Sequence, residues 1–422
     1  MKALVFENNM PRTIATKVLG SFSPRFYVSA VSPMGLKEIP DPRLPRPDWV
    51  TIRTRFCGLC GSDYKQVFLK GRYDNPMTAL VSFPQVLGHE VVGTIESVGP
   101  AVQHRRIGER VVLNPWLSCA PRGITPLCEW CARGEFAECT NFTRGALAPG
   151  IHHGNSADAT GGFAPLVPAH ESQCIAIPDE VSFEEAVLAD PFSVSLHATL
   201  HHPPPEDGTV LVYGCGTLGL LNIAILRALY PQVRVLAVVR FAHQARLAQQ
   251  FGAEQIVFWR PTTEILKLVS RETGAELLQP WYGQPMLNGG VDVVYDSVGS
   301  PESIEVGVRL TRSRGRIVVT GVEMPKQFEW TPLYFKEISL IGSNAFAIEE
   351  YEGRRQHAME WYLEFVRTKR VDVTAILTHR YRLDEYRQAF MTCYDQGKNG
   401  AVKVLFEYPP PAAPAVSGGG PR

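Results

Sequence analysis

The chain has no excess of charge of either sign: 42 lysines and arginines stand against 42 aspartates and glutamates in 422 residues. That balance removes the bulk electrostatic pull toward nucleic acid or an anionic membrane surface. Long apolar runs are also missing. The most hydrophobic stretch, residues 210–229, is broken by Gly214, Gly216 and Gly219, which suits a buried strand, turn and helix better than a membrane span. The opening residues, MKALVFENNMPRT, hold no long apolar core of a secretory signal, so export is not expected. Cysteine is scarce, with nine residues unevenly spread. An odd, clustered set argues against a disulfide framework and for a reducing, cytoplasmic setting. The remaining make-up, 45% hydrophobic and 20% charged, is that of an ordinary globular protein, and its length calls for at least two domains.

Four of the nine cysteines crowd together as Cys119, Cys128, Cys131 and Cys139, in the spacing Cys-x8-Cys-x2-Cys-x7-Cys. Thiolates are soft ligands that suit zinc, and four of them make a closed tetrahedral site with no position for substrate. This cluster is therefore expected to hold a loop. The long first gap, Ala-Pro-Arg-Gly-Ile-Thr-Pro-Leu, has the proline and glycine needed to loop out. Four thiolates leave the site with a net negative charge, so Arg122, Arg133 and backbone N–H groups are candidate outer partners. A zinc ribbon that binds nucleic acid would need basic residues interleaved with aromatics, which this segment lacks. No nucleic-acid or membrane partner is expected.

Two textures follow each other along the chain. Up to about residue 195, short alternating runs at 50–56 (VTIRTRF), 91–98 (VVGTIESV) and 109–113 (ERVVL) read as strands of a mostly antiparallel unit. From about 207 the pattern becomes strand, helix, strand: 209–213 (TVLVY), an apolar helix at 218–229, then β-rich runs at 233–239, 255–258, 291–296, 316–320 and 339–342. That alternation implies a doubly wound parallel sheet. Between the first strand and its helix lies Gly214-Cys215-Gly216-Thr217-Leu218-Gly219. In this setting a GxGxxG is a dinucleotide site: the first glycine turns the chain, the second admits a pyrophosphate, and the third packs helix on strand. Thr217 and Leu218 open the helix whose N-terminus would receive the phosphates. The second strand ends in Val239-Arg240, without the carboxylate that would bind the 2′-hydroxyl of NAD. A cation there accepts the 2′-phosphate of NADP, with His243 and Arg246 close by; a solvated strand end is the other reading. The cofactor expected is NADP or NAD.

The first half also holds Cys57-Gly-Leu-Cys60-Gly-Ser62-Asp63 and Gly88-His89-Glu90. With the GERV turn at 108–111, Gly161-Gly162-Phe163 and Asp296-Ser297-Val298-Gly299, these segments give the chain, from about 48 to 407, a resemblance to the zinc-dependent medium-chain alcohol dehydrogenases, in particular their polyol and threonine dehydrogenase branches. The resemblance implies a GroES-like, mainly β catalytic domain at 1–195 and 345–407, with the four-cysteine lobe at 115–142. It implies a Rossmann domain at 196–344. A Pro/Gly/Ala-rich tail at 408–422 is expected to be disordered.

The same resemblance implies one structural zinc in the lobe and one catalytic zinc on Cys60, His89 and a third ligand. Glu90 matches a neighbouring carboxylate able to approach the metal. Asp190, in Leu188-Ala189-Asp190-Pro191, stands where relatives have glutamate before proline; it is expected as the third ligand, a helix N-cap being the alternative. Ser62 matches a proton-relay hydroxyl, and Lys65 replaces the relay histidine of many relatives. Cys57, Cys174, Cys215 and Cys393 are read as buried packing residues. His197, His201 and His202 are read as structural or solvated, since a histidine needs partners before it becomes a metal site. Phe68, Tyr73, Trp116 and Phe346 are candidate pocket walls. The activity implied is hydride transfer between NAD(P) and a secondary alcohol, polyol or amino alcohol, in a homo-oligomer. Two alternatives stay open: a zinc-independent enoyl or quinone reductase of the same superfamily, and a non-enzymatic nucleotide sensor.

Overall fold

The computed structural model describes residues 1–71, 75–323 and 327–409. Tyr73 and the tail from residue 410 onward lie outside the described residues.

The strand Thr209–Tyr213 is apolar at nearly every position because it lies inside a parallel sheet covered on both faces. That sheet has six strands, in the order Gln255–Phe258, Arg234–Val239, Thr209–Tyr213, Val291–Asp296, Thr311–Val319 and Ser339–Gly342. Every neighbouring pair is parallel. The order reverses at Thr209–Tyr213, so the crevice beyond its carboxyl end is the binding point such sheets provide. The helix Thr217–Leu229 follows the glycine turn. It is apolar nearly all round because it is covered on two sides, by the sheet and by the helix Ala189–His201. Asn222, buried in this helix, donates from Nδ2 to Thr199 Oγ1 at 2.8 Å and ties the two helices together.

The other half is built on a seven-stranded sheet. Its order runs Leu377–Tyr381, Lys403–Glu407, Trp49–Gly58, Glu90–Val98, Arg110–Leu113, Cys174–Ala176, with Leu166–His170 also pairing with Trp49–Gly58. All the pairs are antiparallel except that of Leu377–Tyr381 with Lys403–Glu407. The C-terminal strand therefore lies beside the strand that leads to Cys60. The expected tail begins at Tyr408, yet Tyr408 is buried. Its N–H donates to Arg55 O at 3.0 Å and its hydroxyl to Gly162 O at 2.8 Å. A small third sheet, Met34–Glu38, Lys2–Phe6 and Gln85–Val86, frames the amino end. The helix Met10–Gly20 is inserted within it, between Lys2–Phe6 and Met34–Glu38.

Candidate active site and metal centres

Cys60 follows the strand Trp49–Gly58 by two residues and caps the helix Gly61–Val67. Asp63 fixes this corner. Its carboxylate accepts the N–H of Cys60 at 3.0 Å and of Gly88 at 3.3 Å, and stands 4.0 Å from His89 Nδ1. The Gly161-Gly162-Phe163 motif holds the opposite side. A Cβ on Gly161 would lie 2.2 Å from Gly88 O, and one on Gly162 would meet Cys57 Sγ at 2.7 Å. Only glycine lets this backbone close on residues 86–88, where Gly161 and Gly162 donate N–H bonds at 2.7 Å. Cys57 is buried there as packing, with its thiol pKa pushed up by burial.

The donor atoms of Cys60, His89 and Glu90 all lie within 4.8 Å of one another. Glu90 is buried in an ion pair with Lys403, which is equally buried and also donates to Leu59 O at 3.1 Å. Burial disfavours the ammonium, but Glu90, together with Cys60 and Asp190, outweighs it and holds the lysine pKa up. Asp190, the expected third ligand, is not one of the donors that share this spacing. It lies in the first turn of Ala189–His201, only 6% exposed, near enough for the charges of His89, Glu90 and Lys403 to act on it. It makes no hydrogen bond or ion pair among the described residues. Leu188 is the cap of this helix, so the capping alternative for Asp190 is not what the fold uses. Burial drives the Asp190 carboxyl up to about 7, against the pull of His89. A mostly buried carboxyl that makes no side-chain hydrogen bond, close to the His89 imidazole, fits a divalent cation. His89 Nδ1, also buried and without a hydrogen bond, adds to the fit.

Ser62 is exposed on the first turn after Cys60. Lys65 reaches away and donates to Val322 O, in the loop after Thr311–Val319, so it links the two halves. Burial lowers its pKa. Sequence reasoning missed His152. Its ring centroid lies 4.6 Å from that of His89 and packs edge-on against Trp116, which in turn meets Phe346. His152 Nδ1 is pinned to His153 O at 2.6 Å, and burial, with help from His89, pushes its pKa down to about 3. Phe68 instead joins an aromatic group with Tyr27, Tyr64 and Tyr394. Lys403 was missed too; its signal is a lone cation in the apolar strand AVKVLF.

At the glycine turn, Gly214 has φ of +89°, and a Cβ on Gly219 would lie 2.0 Å from Gly214 O. Gly216, between them, has nothing within 4 Å of its Cβ position. The chain is thus tight at the first and third glycines and open at the second, the arrangement a pyrophosphate needs. Thr217 Oγ1 donates to Val402 O at 3.3 Å, and Leu218 O accepts from Ser195 Oγ at 3.0 Å. Arg240 is exposed at the strand end, its guanidinium 5.8 Å from the Trp259 ring centroid.

The four thiols of the lobe also converge within 4.8 Å. Cys119 and Cys139 sulfurs are 3.6 Å apart, and those of Cys128 and Cys139 are 4.0 Å apart. A zinc–sulfur bond of ≈ 2.3 Å gives tetrahedral edges of about 3.8 Å, so the donors already have the required spacing. Cys119 Sγ accepts from Cys128 N–H and Asn141 Nδ2, and Cys139 Sγ from Asn141 N–H. Although burial opposes it, backbone donors lower the Cys128 thiol to about 6. Arg122 is fully buried and donates to the carbonyls of Leu117, Arg144, Leu147, Ala148 and Gly150, so it organises the loop. Arg133 does not join it; it is exposed and pairs with Glu129 at 2.6 Å.

A GroES-like sheet, a Rossmann sheet and two metal-type donor sets between them define a zinc-dependent dehydrogenase. Residues 46–179 match the alcohol dehydrogenase GroES-like domain and residues 217–363 the zinc-binding dehydrogenase family. Sorbitol dehydrogenase of Arabidopsis thaliana is 29% identical over 363 residues, 85% of this chain and 88% of that protein. L-idonate 5-dehydrogenase of Vitis vinifera is 29% identical over 360 residues, 85% of this chain and 87% of its own length. A crystal structure from Sinorhizobium meliloti 1021, bound to NADP, superposes with a TM-score of 0.67 at 25% identity, over 89% of this chain and 95% of that one. The chain belongs to the zinc-dependent medium-chain alcohol dehydrogenases, NAD(P)-linked oxidoreductases of CH–OH donors, on their polyol dehydrogenase side. No helix among the described residues is long and apolar enough to cross a membrane.

Proposed function

We propose that this chain oxidises a polyol, or reduces the matching ketose, with NADP preferred over NAD, one catalytic zinc and one structural zinc. The observation that carries this reading is the convergence of Cys60, His89 and Glu90 beside the unpartnered Asp190. Zinc bound there would supply Lewis-acid polarisation of the substrate oxygen, and the nicotinamide would exchange the hydride. Cys60 and His89 are the shared donors. Glu90 is committed to Lys403, which supports Asp190 as the third ligand and Glu90 as its neighbour. Asp63 holds the corner that aims Cys60 and His89. Ser62, being exposed, can pass the substrate proton to solvent without an imidazole at position 65. His152, held neutral with its Nε2 unpaired, offers an acceptor beside His89 for a second substrate hydroxyl.

Gly214, Gly216, Thr217, Leu218 and Gly219 form the pyrophosphate cradle, and Arg240 receives the 2′-phosphate. The catalytic unit spans 1–195 and 345–407 and the nucleotide unit 196–344. A homo-oligomer is supported by the edge strand Ser339–Gly342, which ends the parallel sheet next to the exposed Tyr334 and Phe335. Nine free cysteines fit the cytoplasm.

The test is metal counting combined with a polyol panel, read at the reduced-nicotinamide absorbance with each cofactor. Two zinc ions per chain and polyol-dependent reduction of NADP are expected. A single zinc held by the cysteine lobe, or no turnover with any alcohol, would overturn the proposal in favour of a zinc-free reductase or a nucleotide sensor. Replacing Asp190 with Ala should release the catalytic zinc and abolish turnover; full retention of both excludes it as a ligand.

A further inference from the structure

His197 and His201 are one helical turn apart on Ala189–His201, so their rings share a face. Their centroids are 4.1 Å apart. Facing them is Glu349, on the hairpin strand Ile348–Tyr351. Glu349 Oε1 accepts from His197 Nδ1 at 2.6 Å and Oε2 from His201 Nε2 at 3.0 Å. The three donor atoms lie within 4.8 Å of one another. Histidines at i and i+4 with a carboxylate opposite form the two-imidazole, one-carboxylate donor set that suits zinc and its neighbours in the first transition row.

Burial sharpens the case. The Glu349 side chain is 1% exposed, His197 17% and His201 46%. The carboxylate is therefore anchored inside the protein, while the last histidine opens the site to solvent. The hairpin is fixed independently of these contacts: Ile348 N–H donates to Gly134 O at 3.1 Å and Trp361 Nε1 to Glu349 O at 3.3 Å. A further N–H, from Ala347, donates to Glu349 Oε1 at 3.0 Å and orients the carboxylate from outside the donor group. Zinc bonds of ≈ 2.0–2.2 Å place neighbouring donors about 3.3 Å apart, so each present contact has to open by less than ~1 Å.

We propose that His197, His201 and Glu349 form a third metal site, open to solvent on the His201 side and selective for zinc-like divalent cations. On binding, each ring turns a lone pair of the nitrogen facing the carboxylate toward the ion and carries its single N–H on the other ring nitrogen, a tautomer shift through water; a ring that starts as imidazolium releases its extra proton to solvent. Water completes the coordination. The bound ion ties the hairpin, and through Gly134 the cysteine lobe, to the helix that carries Asp190. This site is separate from both zinc-type clusters described above and needs neither of them to be read correctly.

The experiment starts from protein as purified, dialysed to equilibrium against buffer with and without excess zinc, with metal counted per chain. Wild type is expected to take up one further equivalent that His201→Asn and Glu349→Gln do not, while both variants keep the metal bound before dialysis. Cobalt added to the same protein should give a weak visible spectrum without thiolate charge transfer, absent in His201→Asn. Because His201 is half exposed, that variant keeps the test decisive if Glu349→Gln fails to fold. No extra equivalent in wild type, or one that persists unchanged in His201→Asn, overturns the site.

Discussion

The two zinc-type clusters are built in opposite ways. In the lobe, four identical thiols come from one short segment, residues 119–139. Their charge is met by backbone N–H groups and by Asn141, inside a loop that Arg122 ties through five carbonyls. At the candidate active site, thiol, imidazole and carboxylate come from residues 60, 89 and 90, with the Asp190 carboxyl near them. They meet only when the ends of two strands, a helix and the C-terminal strand are all in place. Their charge is met by one buried ammonium, Lys403. The lobe is thus compact and locally encoded. The other cluster is mixed, assembled at long range, and keeps a carboxylate without a partner.

That contrast can be broken most directly with one cysteine from each cluster. Cys60→Ser should cost several kcal/mol of transition-state stabilisation, roughly 10³-fold in kcat/KM, with little change in thermal midpoint. Cys139→Ser should do the reverse: loss of the lobe metal, a lower thermal midpoint, and near-normal turnover in the fraction that stays folded. Metal content, melting and initial rates on both proteins decide it. An equal loss of turnover in both variants would mean that the lobe is no mere support.

Lys403→Met addresses the buried pair. It leaves Glu90 charged in the interior without its cation, and removing one partner of such a pair costs about 3–5 kcal/mol. The double change Lys403→Met with Glu90→Gln should recover much of that in a denaturant titration, because the unpaired charge is gone. If the double variant is as unstable as the single, packing and not charge is what Lys403 contributes.

Much of this contrast follows from how each part is written in the chain. The lobe is legible because its donors are close in sequence. The parallel sheet is legible because strands buried on both faces must be apolar throughout; Thr209–Tyr213, Gln255–Phe258 and Val291–Asp296 fall on the runs that suggested them. The helix Met10–Gly20 left no such mark, because Met10, Ile14 and Val18 point to solvent and its only buried residue is Thr16. Lys403 and His152 were hidden for another reason. Each matters through a neighbour far along the chain, and no spacing announces a contact of residue 403 with 90 or of 152 with 89. Glu349 is the same case: it pairs His197 and His201, read from the sequence as structural or solvated, with one buried carboxylate.

The nucleotide side carries the smallest expected effect, because its key charge is at the surface. No carboxylate occurs between residues 235 and 250, whereas Arg240, His243 and Arg246 do. Arg240 is exposed, and its guanidinium lies near the rings of Phe241 and Trp259 without an ion pair among the described residues. A phosphate arriving there gains a charge-assisted bond of about 1.5 kcal/mol, roughly tenfold in affinity. Arg240→Ser should therefore lower the NADP-to-NAD ratio of kcat/KM by about that factor. The change should fall on KM for NADP, since the 2′-phosphate is remote from the hydride and binds alike in ground and transition states. Because the site faces water, the wild-type preference should also shrink with added salt. A ratio that the substitution leaves unmoved, with the same salt response as wild type, would make Arg240 a solvated strand end and shift phosphate recognition to Arg246 or His243.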